Sequence, residues 1–387
     1  MAKKKETGYL SAKESRRIAK ENRKITNEFE KKYKRKNVPE SEYLTEMHDK
    51  NNVLEIDDLH TYFFTDVGTS KAVDGVTFEV PAGKTVGVVG ESGCGKSVTS
   101  LSVMQLLQRP QGQIVSGSIR INLGDKAYDI TNTPIEVMQT LRGNFVSMVF
   151  QEPMTSLNPV FRIGAQIDEV IELHDGSGMS KEEIKARSIE MLELVGIANS
   201  EGVYKMYPHE LSGGMRQRVM IAIALACNPR LVIADEPTTA LDVTIQAQIL
   251  DLFRSLKDKI NSSIMIITHD LGVIAEMADY VVVMYAGRVV EKGTADDIFH
   301  HPMHPYTIGL QASIPRLDND VDRLKTIEGT VPSLRNMPKE GCRFADRCSH
   351  CIDKCRTEHP QLRMIGNRKV RCHLADINAG GEVSFHE

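Results

Sequence analysis

The chain lacks a long apolar segment. Among its 387 residues, no apolar run approaches the roughly 18 residues that a membrane-spanning helix needs. The longest runs, 221–227 and 280–286, have the length of core strands or helices. The N-terminus is charged and has no apolar central region, so we expect no secretory signal peptide. No repeat with a period of roughly 20–50 residues occurs, which excludes a solenoid. These absences predict a globular protein of the cytoplasm.

Charge is distributed unevenly along the chain. The net charge is −4, yet residues 1–50 carry 15 Lys and Arg against 9 Asp and Glu. The remainder is therefore acidic, which disfavours nucleic acid as a partner. We interpret residues 1–48 as a charged extension. It is either a solvated, partly disordered tail or a helix over about 11–36 that docks on a partner or an anionic lipid surface through Ile18, Ile25, Phe29 and Tyr33.

Strand and helix patterns alternate from residue 53 onward. Strands are predicted over 53–64, 72–80, 85–89, 145–150, 231–234, 263–268 and 280–285, and the main helices over 181–194, 213–226 and 245–258. Such alternation predicts an α/β fold with a mainly parallel central sheet. Beyond residue 300, proline-containing loops lead into a cluster of cysteines.

A glycine-rich loop follows the predicted strand 85–89. The loop reads Gly90, Glu91, Ser92, Gly93, Cys94, Gly95, Lys96, Ser97, and a helix is expected over 98–107. This pattern is typical of a Walker A phosphate loop, whose backbone N–H groups and helix N-terminus hold the phosphates of a nucleotide. In that arrangement Lys96 reaches the β and γ phosphates, and the Ser97 hydroxyl ligates Mg²⁺.

Two further segments have the residues of an ATP site. The apolar strand 231–234 runs into Asp235 and Glu236, which predicts an acid for Mg²⁺ and an acid that polarises the attacking water. About twenty residues earlier, Ser212, Gly213 and Gly214 begin a long helix. Alone, this segment is either an ordinary helix cap or an anion site.

The order of these motifs resembles the ATP-binding-cassette ATPases. The resemblance covers about residues 50–300 and includes Ala240-Leu241-Asp242 and Thr268-His269-Asp270. It implies a P-loop NTPase that binds ATP and Mg²⁺, and two cassettes paired head to tail. In such a pair, Ser212, Gly213 and Gly214 close on the nucleotide of the partner cassette.

The resemblance also implies roles for single residues. Gln151 corresponds to the Q-loop residue that contacts Mg²⁺ and water and relays to membrane subunits. His269 corresponds to the switch histidine beside the γ-phosphate. Phe63 aligns best with the aromatic residue that stacks on adenine, with Tyr62 as the alternative, and either residue could instead belong to the core.

Three features narrow the resemblance to the oligopeptide/dipeptide and nickel importers. They are the extended segment 151–159, Met215 in place of the usual glutamine after the signature, and the C-terminal cysteines. This group implies an ATPase subunit on the cytoplasmic face of the membrane. Its expected partners are a second cassette subunit in a heterodimer, two transmembrane permease subunits and an external solute-binding protein.

Four cysteines crowd into a short C-terminal segment. Their spacing is Cys342-x5-Cys348-x6-Cys355-x16-Cys372, with Cys351 as a spare. In a cytosolic chain this pattern favours metal over disulfides. Four thiolates suit a [4Fe–4S] cluster or Zn²⁺, and the shortage of paired C-x₂-C units favours iron–sulfur. Free or oxidised thiols are the remaining alternative. The resemblance implies a cluster on the same four residues.

Three units and one main function follow. The units are a charged N-terminal extension (1–48), the ATPase domain (49–300, with a helical subdomain at about 155–225) and a cysteine-rich extension (301–387). The expected function is to couple ATP hydrolysis to peptide uptake. A soluble cassette ATPase acting on nucleic acid or ribosomes is disfavoured, because the chain has a single cassette. A nucleotide-holding module without turnover is disfavoured by the presence of both Glu236 and His269.

Overall fold

The computed structural model describes residues 11–174, 178–239, 241–313, 326–334, 337–338, 340–377 and 383–385, of which Asp258, Asp376, Ile377 and 383–385 are described by their backbone alone. The described chain contains two large sheets with helices around them. The helices are α1 Ala12–Tyr33, α2 Lys96–Val103, α3 Ile135–Leu141, α4 Pro153–Ser156, α5 Ile163–His174, α6 Lys181–Leu194, α7 Ser200–Tyr204, α8 Gly213–Leu225, α9 Val243–Ile260, α10 Leu271–Met277, α11 Ala295–His300, α12 Pro305–Ala312 and α13 Asp353–Thr357.

The strands fall into three sheets. They are β1 Leu44–Thr45, β2 Asn52–Thr65, β3 Gly68–Pro81, β4 Thr85–Val89, β5 Gly112–Asn122, β6 Ala127–Asp129, β7 Val146–Val149, β8 Leu231–Asp235, β9 Ser263–Thr268, β10 Tyr280–Tyr285, β11 Arg288–Thr294, β12 Arg363–Ile365, β13 Arg368–Val370, β14 Ala375–Ile377 and β15 Val383–Phe385. The strand orders are β1-β6-β5-β2-β3, β12-β13-β11-β10-β4-β9-β8-β7 and β14-β15.

The fold is mixed α/β, and only part of it is parallel. Strands β10, β4, β9, β8 and β7 pair in parallel, whereas β11, β13 and β12 continue the same sheet in antiparallel pairs. The five-stranded sheet is antiparallel throughout. The prediction of a mainly parallel central sheet therefore holds for the five strands around β4, and the separate antiparallel sheet was missed.

Two apolar cores lie on opposite faces of the eight-stranded sheet. In β9, Met265 and Ile267 face the core shared with the antiparallel sheet, while Ile264 and Ile266 face the core shared with the helices. This alternation follows from the two-residue period of a strand. Burying a side chain of this size contributes roughly 1.5–3 kcal/mol. Because both faces are covered, the parallel strands are almost continuously apolar.

Within the segment predicted as a helix, Ala12–Tyr33 form α1, which lies against the rest of the chain. Ser11 and Glu14 make a reciprocal capping box that starts α1. Asn22 Nδ2 donates to the carbonyl oxygen of Thr65 at 2.7 Å, and Asn22 and Thr26 are buried. Ile25, from the predicted apolar stripe, is exposed. Of the two alternatives the structure shows the helix, and the other three residues of the stripe, Ile18, Phe29 and Tyr33, are half-buried.

Candidate functional site

The phosphate loop connects β4 to α2, as predicted. Two of its glycines are needed for steric reasons. Gly90 has φ +151°, and a Cβ there would lie 2.1 Å from the Met284 carbonyl oxygen. Gly95 has φ +100°, and a Cβ there would lie 2.4 Å from the Ala72 carbonyl oxygen. The loop is therefore wrapped tightly against β10 and β3, in a conformation that other residues rarely adopt.

Lys96 and Ser97 begin α2 beneath the loop. Lys96 is buried, and its Nζ donates to the carbonyl oxygens of Gly90 at 2.6 Å and Glu91 at 3.2 Å. The Ser97 hydroxyl donates to Asp235 Oδ1 at 3.0 Å. Burial raises the pKa of Asp235, and the hydrogen bond from Ser97 opposes that shift. The loop thus presents one ammonium group and a hydroxyl–carboxylate pair.

Glu236 is the centre of a group of polar side chains. Its Oε2 accepts hydrogen bonds from Gln151 Nε2 and from the Thr239 hydroxyl, both at 2.9 Å, and its Oε1 lies 3.2 Å from His269 Nδ1. Glu236 has φ +47°, a left-handed conformation that is strained for a residue with a Cβ. Such strain is found chiefly at functional sites. The structure therefore brings together all three predicted catalytic residues and adds Thr239, which the sequence analysis missed.

These side chains converge because neighbouring parallel strands end at one edge. Gln151 lies just beyond the carboxyl end of β7, His269 follows β9, and Gly90 follows β4. Asp235 is itself the last residue of β8. In open α/β sheets, ligands bind at this edge of the strands. Residues separated by more than 100 positions thereby become one site.

The signature segment starts α8 on the protein surface. Ser212 is the exposed N-cap, and its Oγ accepts the Met215 N–H at 3.3 Å. Further along the helix, Gln217 Nε2 donates to the Pro237 carbonyl oxygen at 2.6 Å. At the N-terminus of α8, Ser212 is thus exposed and Gly213 and Gly214 are half-buried, while the helix contacts the loop that follows Glu236. Asp242 caps α9, and Ala240 lies outside the described residues.

The two aromatic candidates lie side by side in β2. Phe63 is half-buried and pairs with Gly112 of β5. Tyr62 is half-buried as well, and its hydroxyl donates to Asp74 Oδ1 at 2.8 Å. Burial and this hydrogen bond raise the pKa of Tyr62. The contact holds the Tyr62 ring by its hydroxyl, so Phe63 stays the better candidate for stacking on adenine.

The four predicted cysteine ligands surround one small cavity. Cys342, Cys348, Cys355 and Cys372 all line this cavity, and Cys351 does not. The seven cysteines all lie in the described part of the chain, and none of them forms a disulfide there. Burial raises the pKa of Cys342 to about 12 and that of Cys348 to about 11. The spacing argument therefore selected the four thiols that share a cavity.

No three of these four thiols have sulfur atoms that all lie within 4.8 Å of one another. A tetrahedral Zn²⁺ with Zn–S bonds of about 2.3 Å requires sulfur atoms roughly 3.8 Å apart. In the described ranges, a single group of three His, Cys, Asp or Glu side chains has its ligand atoms all within 4.8 Å of one another. That group is His48, Glu55 and Asp57. Arg120 already pairs with both of those carboxylates. A [4Fe–4S] cluster takes one thiolate on each of four irons and so spaces its ligands more widely.

The arginines near the cysteines have carboxylate partners instead of thiolates. Arg343 pairs with Asp74, Arg347 with Glu91, and Arg356 with Asp346. The partners of Arg343 and Arg347 were missed because they lie more than 250 residues away in sequence.

None of the helices in the described part of the chain is long and apolar enough to cross a membrane.

Comparison with known proteins agrees with this geometry. Residues 73–239 match the family model "ABC transporter", and residues 290–355 match "Oligopeptide/dipeptide transporter, C-terminal region". Oligopeptide transport ATP-binding protein AppD of Bacillus subtilis (strain 168) is 55% identical over 335 residues, which is 86% of this chain and 100% of that protein. Dipeptide transport ATP-binding protein DppD of Haemophilus influenzae is 45% identical, over 86% of this chain and 98% of that protein.

A solved structure shares the fold. The dimeric bacterial ABC transporter cassette MJ0796 is 25% identical with a TM-score of 0.56, and the alignment covers 62% of this chain and 98% of that one. A dimeric post-hydrolysis state of the same cassette, bound to ADP and Pi, is 24% identical with a TM-score of 0.56 and the same coverage. The chain therefore belongs to the ATP-binding-cassette transporter family, within its oligopeptide/dipeptide transport group.

Proposed function

We propose that the chain is the ATP-hydrolysing subunit of an importer that takes up oligopeptides or dipeptides. The carrying observation is the group of Gln151, Glu236 and His269 at the same sheet edge as the phosphate loop. The names of the similar proteins supply the substrate class. As a peripheral subunit, the chain would be held to the cytoplasmic face of the membrane by its partners.

Each side chain has a chemical task in this proposal. Glu236 accepts a proton from water while the water oxygen forms a bond to the γ-phosphorus, and the bond from that phosphorus to the β–γ bridging oxygen breaks. Lys96 balances the negative charge of the phosphates. His269, within 3.2 Å of Glu236, orients the carboxylate and the γ-phosphate. Positioning and charge stabilisation account for most of the catalysis of such transfers.

The site also fits a magnesium ion. Ser97 Oγ and Asp235 Oδ1 lie 3.0 Å apart, and hydroxyl, carboxylate and amide oxygens are ligands that Mg²⁺ accepts. Ser97, Asp235 and Gln151 would hold it. When bound, the ion neutralises charge on the β and γ phosphates.

The exposed signature segment supports action as a pair of cassettes. Ser212, Gly213 and Gly214 present the hydroxyl and N–H groups of a helix N-terminus to solvent, an arrangement that binds anions. In a head-to-tail pair these groups complete the γ-phosphate site of the second cassette. We propose a heterodimer with a related subunit, two permease subunits and a solute-binding protein outside the cell.

An apolar surface next to Gln151 is suited to the permease. Met154, Val160 and Phe161 are 61%, 71% and 55% exposed. Exposed apolar groups of this size on a small surface commonly mark protein interfaces. Because the segment starts three residues after Gln151, movement there is transmitted to the catalytic group.

Phe161→Asp is expected to release the chain from membranes that contain its permease. A carboxylate cannot be buried in an apolar interface at low cost, so we expect at least a tenfold loss of co-purification and of peptide uptake. The isolated chain should still bind ATP. Met364→Asp, which changes another exposed apolar residue (63% exposed), is the matched control. Normal uptake by Phe161→Asp would show that the permease docks elsewhere.

The chain divides into three units in this proposal. They are the charged N-terminal extension (1–48), the ATPase domain (49–300, helical subdomain about 155–225) and the cysteine-rich extension (301–387). Helices α4 to α8 form the described part of the helical subdomain, between β7 and β8. Phe344 and Tyr306 of the cysteine-rich unit belong to the apolar core of the ATPase domain, so the cysteine-rich unit packs on that domain.

We further propose that Cys342, Cys348, Cys355 and Cys372 ligate a [4Fe–4S] cluster. Their shared cavity and wide spacing support this ligand set. Anaerobically purified protein should contain about four iron atoms per chain and show the broad visible absorption of such a cluster. Cys355→Ser should lose both, whereas Cys351→Ser, outside the cavity, should keep both. Stoichiometric zinc would instead support the zinc alternative, and absence of both metals would support free thiols.

A further inference from the structure

A bidentate ion pair connects the cysteine-rich segment to the phosphate loop. Arg347 donates from Nη1 to Glu91 Oε2 at 2.7 Å and from Nη2 to Glu91 Oε1 at 3.0 Å. Glu91 is the second residue of the loop, and Arg347 immediately precedes Cys348. The Arg347 side chain is 5% exposed, so solvent screens the pair weakly. Paired charge-assisted hydrogen bonds of this kind are strong and fix geometry.

An aromatic cluster holds Arg347 in place. Phe344 packs with ring centroids 5.2 Å from Tyr285 and 5.4 Å from Tyr306. The hydroxyl of Tyr306 accepts the backbone N–H of Glu91 at 2.9 Å. The guanidinium of Arg347 lies 5.8 Å from the centroid of the Tyr285 ring. Both the backbone and the side chain of Glu91 are therefore fixed by this part of the chain.

The same segment contacts β3 through Arg343. Its guanidinium donates to Asp74 Oδ2 and to the Ala286 carbonyl oxygen. Asp74 also accepts the Tyr62 hydroxyl at 2.8 Å and Arg288 Nη2 at 2.9 Å. Tyr62 directly precedes Phe63, the candidate for adenine stacking. Two arginines, each next to a cysteine of the cavity, thus connect this segment to β3 and to the phosphate loop.

A carboxylate in a phosphate loop opposes the binding of a triphosphate unless its charge is neutralised. We propose that Arg347 is a positioning residue of the nucleotide site, which neutralises Glu91 and fixes the loop, so that the cysteine-rich segment sets the affinity for ATP. This rests on the proposed function only in taking 90–97 as the ATP loop. The segment would then act on the ATPase cycle without touching the nucleotide.

Arg347→Ala is expected to lower the affinity for a non-hydrolysable ATP analogue with Mg²⁺ by about tenfold. The unpaired Glu91 carboxylate would repel the phosphates. Adding Glu91→Gln to this variant removes the repelling charge and should restore affinity to within about threefold of the unchanged chain. Arg347→Lys keeps one charge but loses the bidentate geometry, so its affinity should be intermediate. Calorimetric titration of the full chain measures each Kd.

Arg356→Ala is the matched control, because Arg356 lies in the same segment and pairs with exposed Asp346. It should bind the analogue like the unchanged chain. The proposal is overturned if Arg347→Ala binds within twofold of the unchanged chain, or if Glu91→Gln restores nothing. If Arg347→Ala does not fold, the affinity of Arg347→Lys is compared with that of Arg347→Lys combined with Glu91→Gln. The proposal is then overturned if Arg347→Lys binds like the unchanged chain, or if Glu91→Gln restores nothing. An unchanged chain that fails to bind the analogue would contradict the proposed function instead.

Disturbing the cysteines tests whether the coupling extends to them. Cys348→Ser changes the residue after Arg347 and should weaken binding of the analogue several-fold. In the Glu91→Gln background the same change should have little effect, because no carboxylate is left to neutralise. An equal loss in both backgrounds, or no loss in either, would contradict the coupling of the cysteines to the loop.

Discussion

Replacing Glu236 by glutamine is expected to abolish most ATP hydrolysis while ATP binding persists. General-base catalysis contributes about 10²- to 10⁴-fold, so the hydrolysis rate should fall by at least about 100-fold. The amide can keep contacts with Gln151 and Thr239, whose distances to Glu236 Oε2 are both 2.9 Å, but it cannot take a proton from water. The chain should then remain closed on ATP with its partner cassette.

Phosphate release under saturating ATP, together with the size of the complex in solution, measures both effects. Glu276→Gln makes the same chemical change at an exposed residue paired with Arg254 and should hydrolyse ATP normally. If Glu236→Gln keeps hydrolysis within about threefold of the unchanged chain, another group is the base, and the role given to Glu236 is wrong.

Lys96→Ala is expected to weaken ATP binding by roughly 10- to 100-fold. The substitution removes a hydrogen bond between charged groups, and such a bond contributes about 1.5–3 kcal/mol. Lys96 is buried, and its ammonium lies against the carbonyl oxygens of Gly90 and Glu91 at 2.6 Å and 3.2 Å. A weakly screened charge at this position acts strongly on a triphosphate. Hydrolysis should fall with binding, because Lys96 also balances charge that develops on the phosphates.

Equilibrium titration with ATP measures this loss. Lys84→Ala is a suitable control, since Lys84 is 49% exposed and pairs with Asp279 outside the loop. Unchanged ATP affinity in Lys96→Ala would contradict the assignment of residues 90–97 as the phosphate loop. Recovery of binding in Lys96→Arg would show that charge, more than exact geometry, is needed.

Local motifs made the catalytic group predictable from the sequence. The phosphate loop is eight consecutive residues with a distinctive pattern, and the acid pair follows an apolar strand directly. Strands β4, β9 and β10 have the predicted bounds, because each is a short apolar run between clear breaks. Placing Gln151 and His269 beside Glu236 needed the family resemblance, since it depends on the order of strands in the sheet.

Long-range polar contacts account for what the sequence did not show. Glu91 and Arg347 are separated by 256 residues, and neither residue type indicates the other. Helix α1 is a similar case. Of its predicted apolar stripe, Ile18, Phe29 and Tyr33 are half-buried and Ile25 is exposed. Asn22 adds a hydrogen bond to the Thr65 carbonyl oxygen, which the stripe does not predict. Hydrophobic periodicity identifies a helix without revealing that polar atoms will anchor it.

The antiparallel sheet was missed for a related reason. Strand β5, Gly112–Asn122, mixes four apolar residues with two glycines, two serines and one charged residue, Arg120. It pairs on one side with β2, which is distant in sequence, and on the other with β6, which follows it directly in the chain. Pairing with neighbours, more than intrinsic propensity, therefore fixes this strand.

Uptake of labelled peptide by the intact assembly, in vesicles with ATP either supplied on the cassette side or removed enzymatically, tests the central claim most directly. The account predicts rapid uptake with ATP, none after its removal, and none with Glu236→Gln. Uptake that continues at full rate after all ATP has been consumed would contradict it.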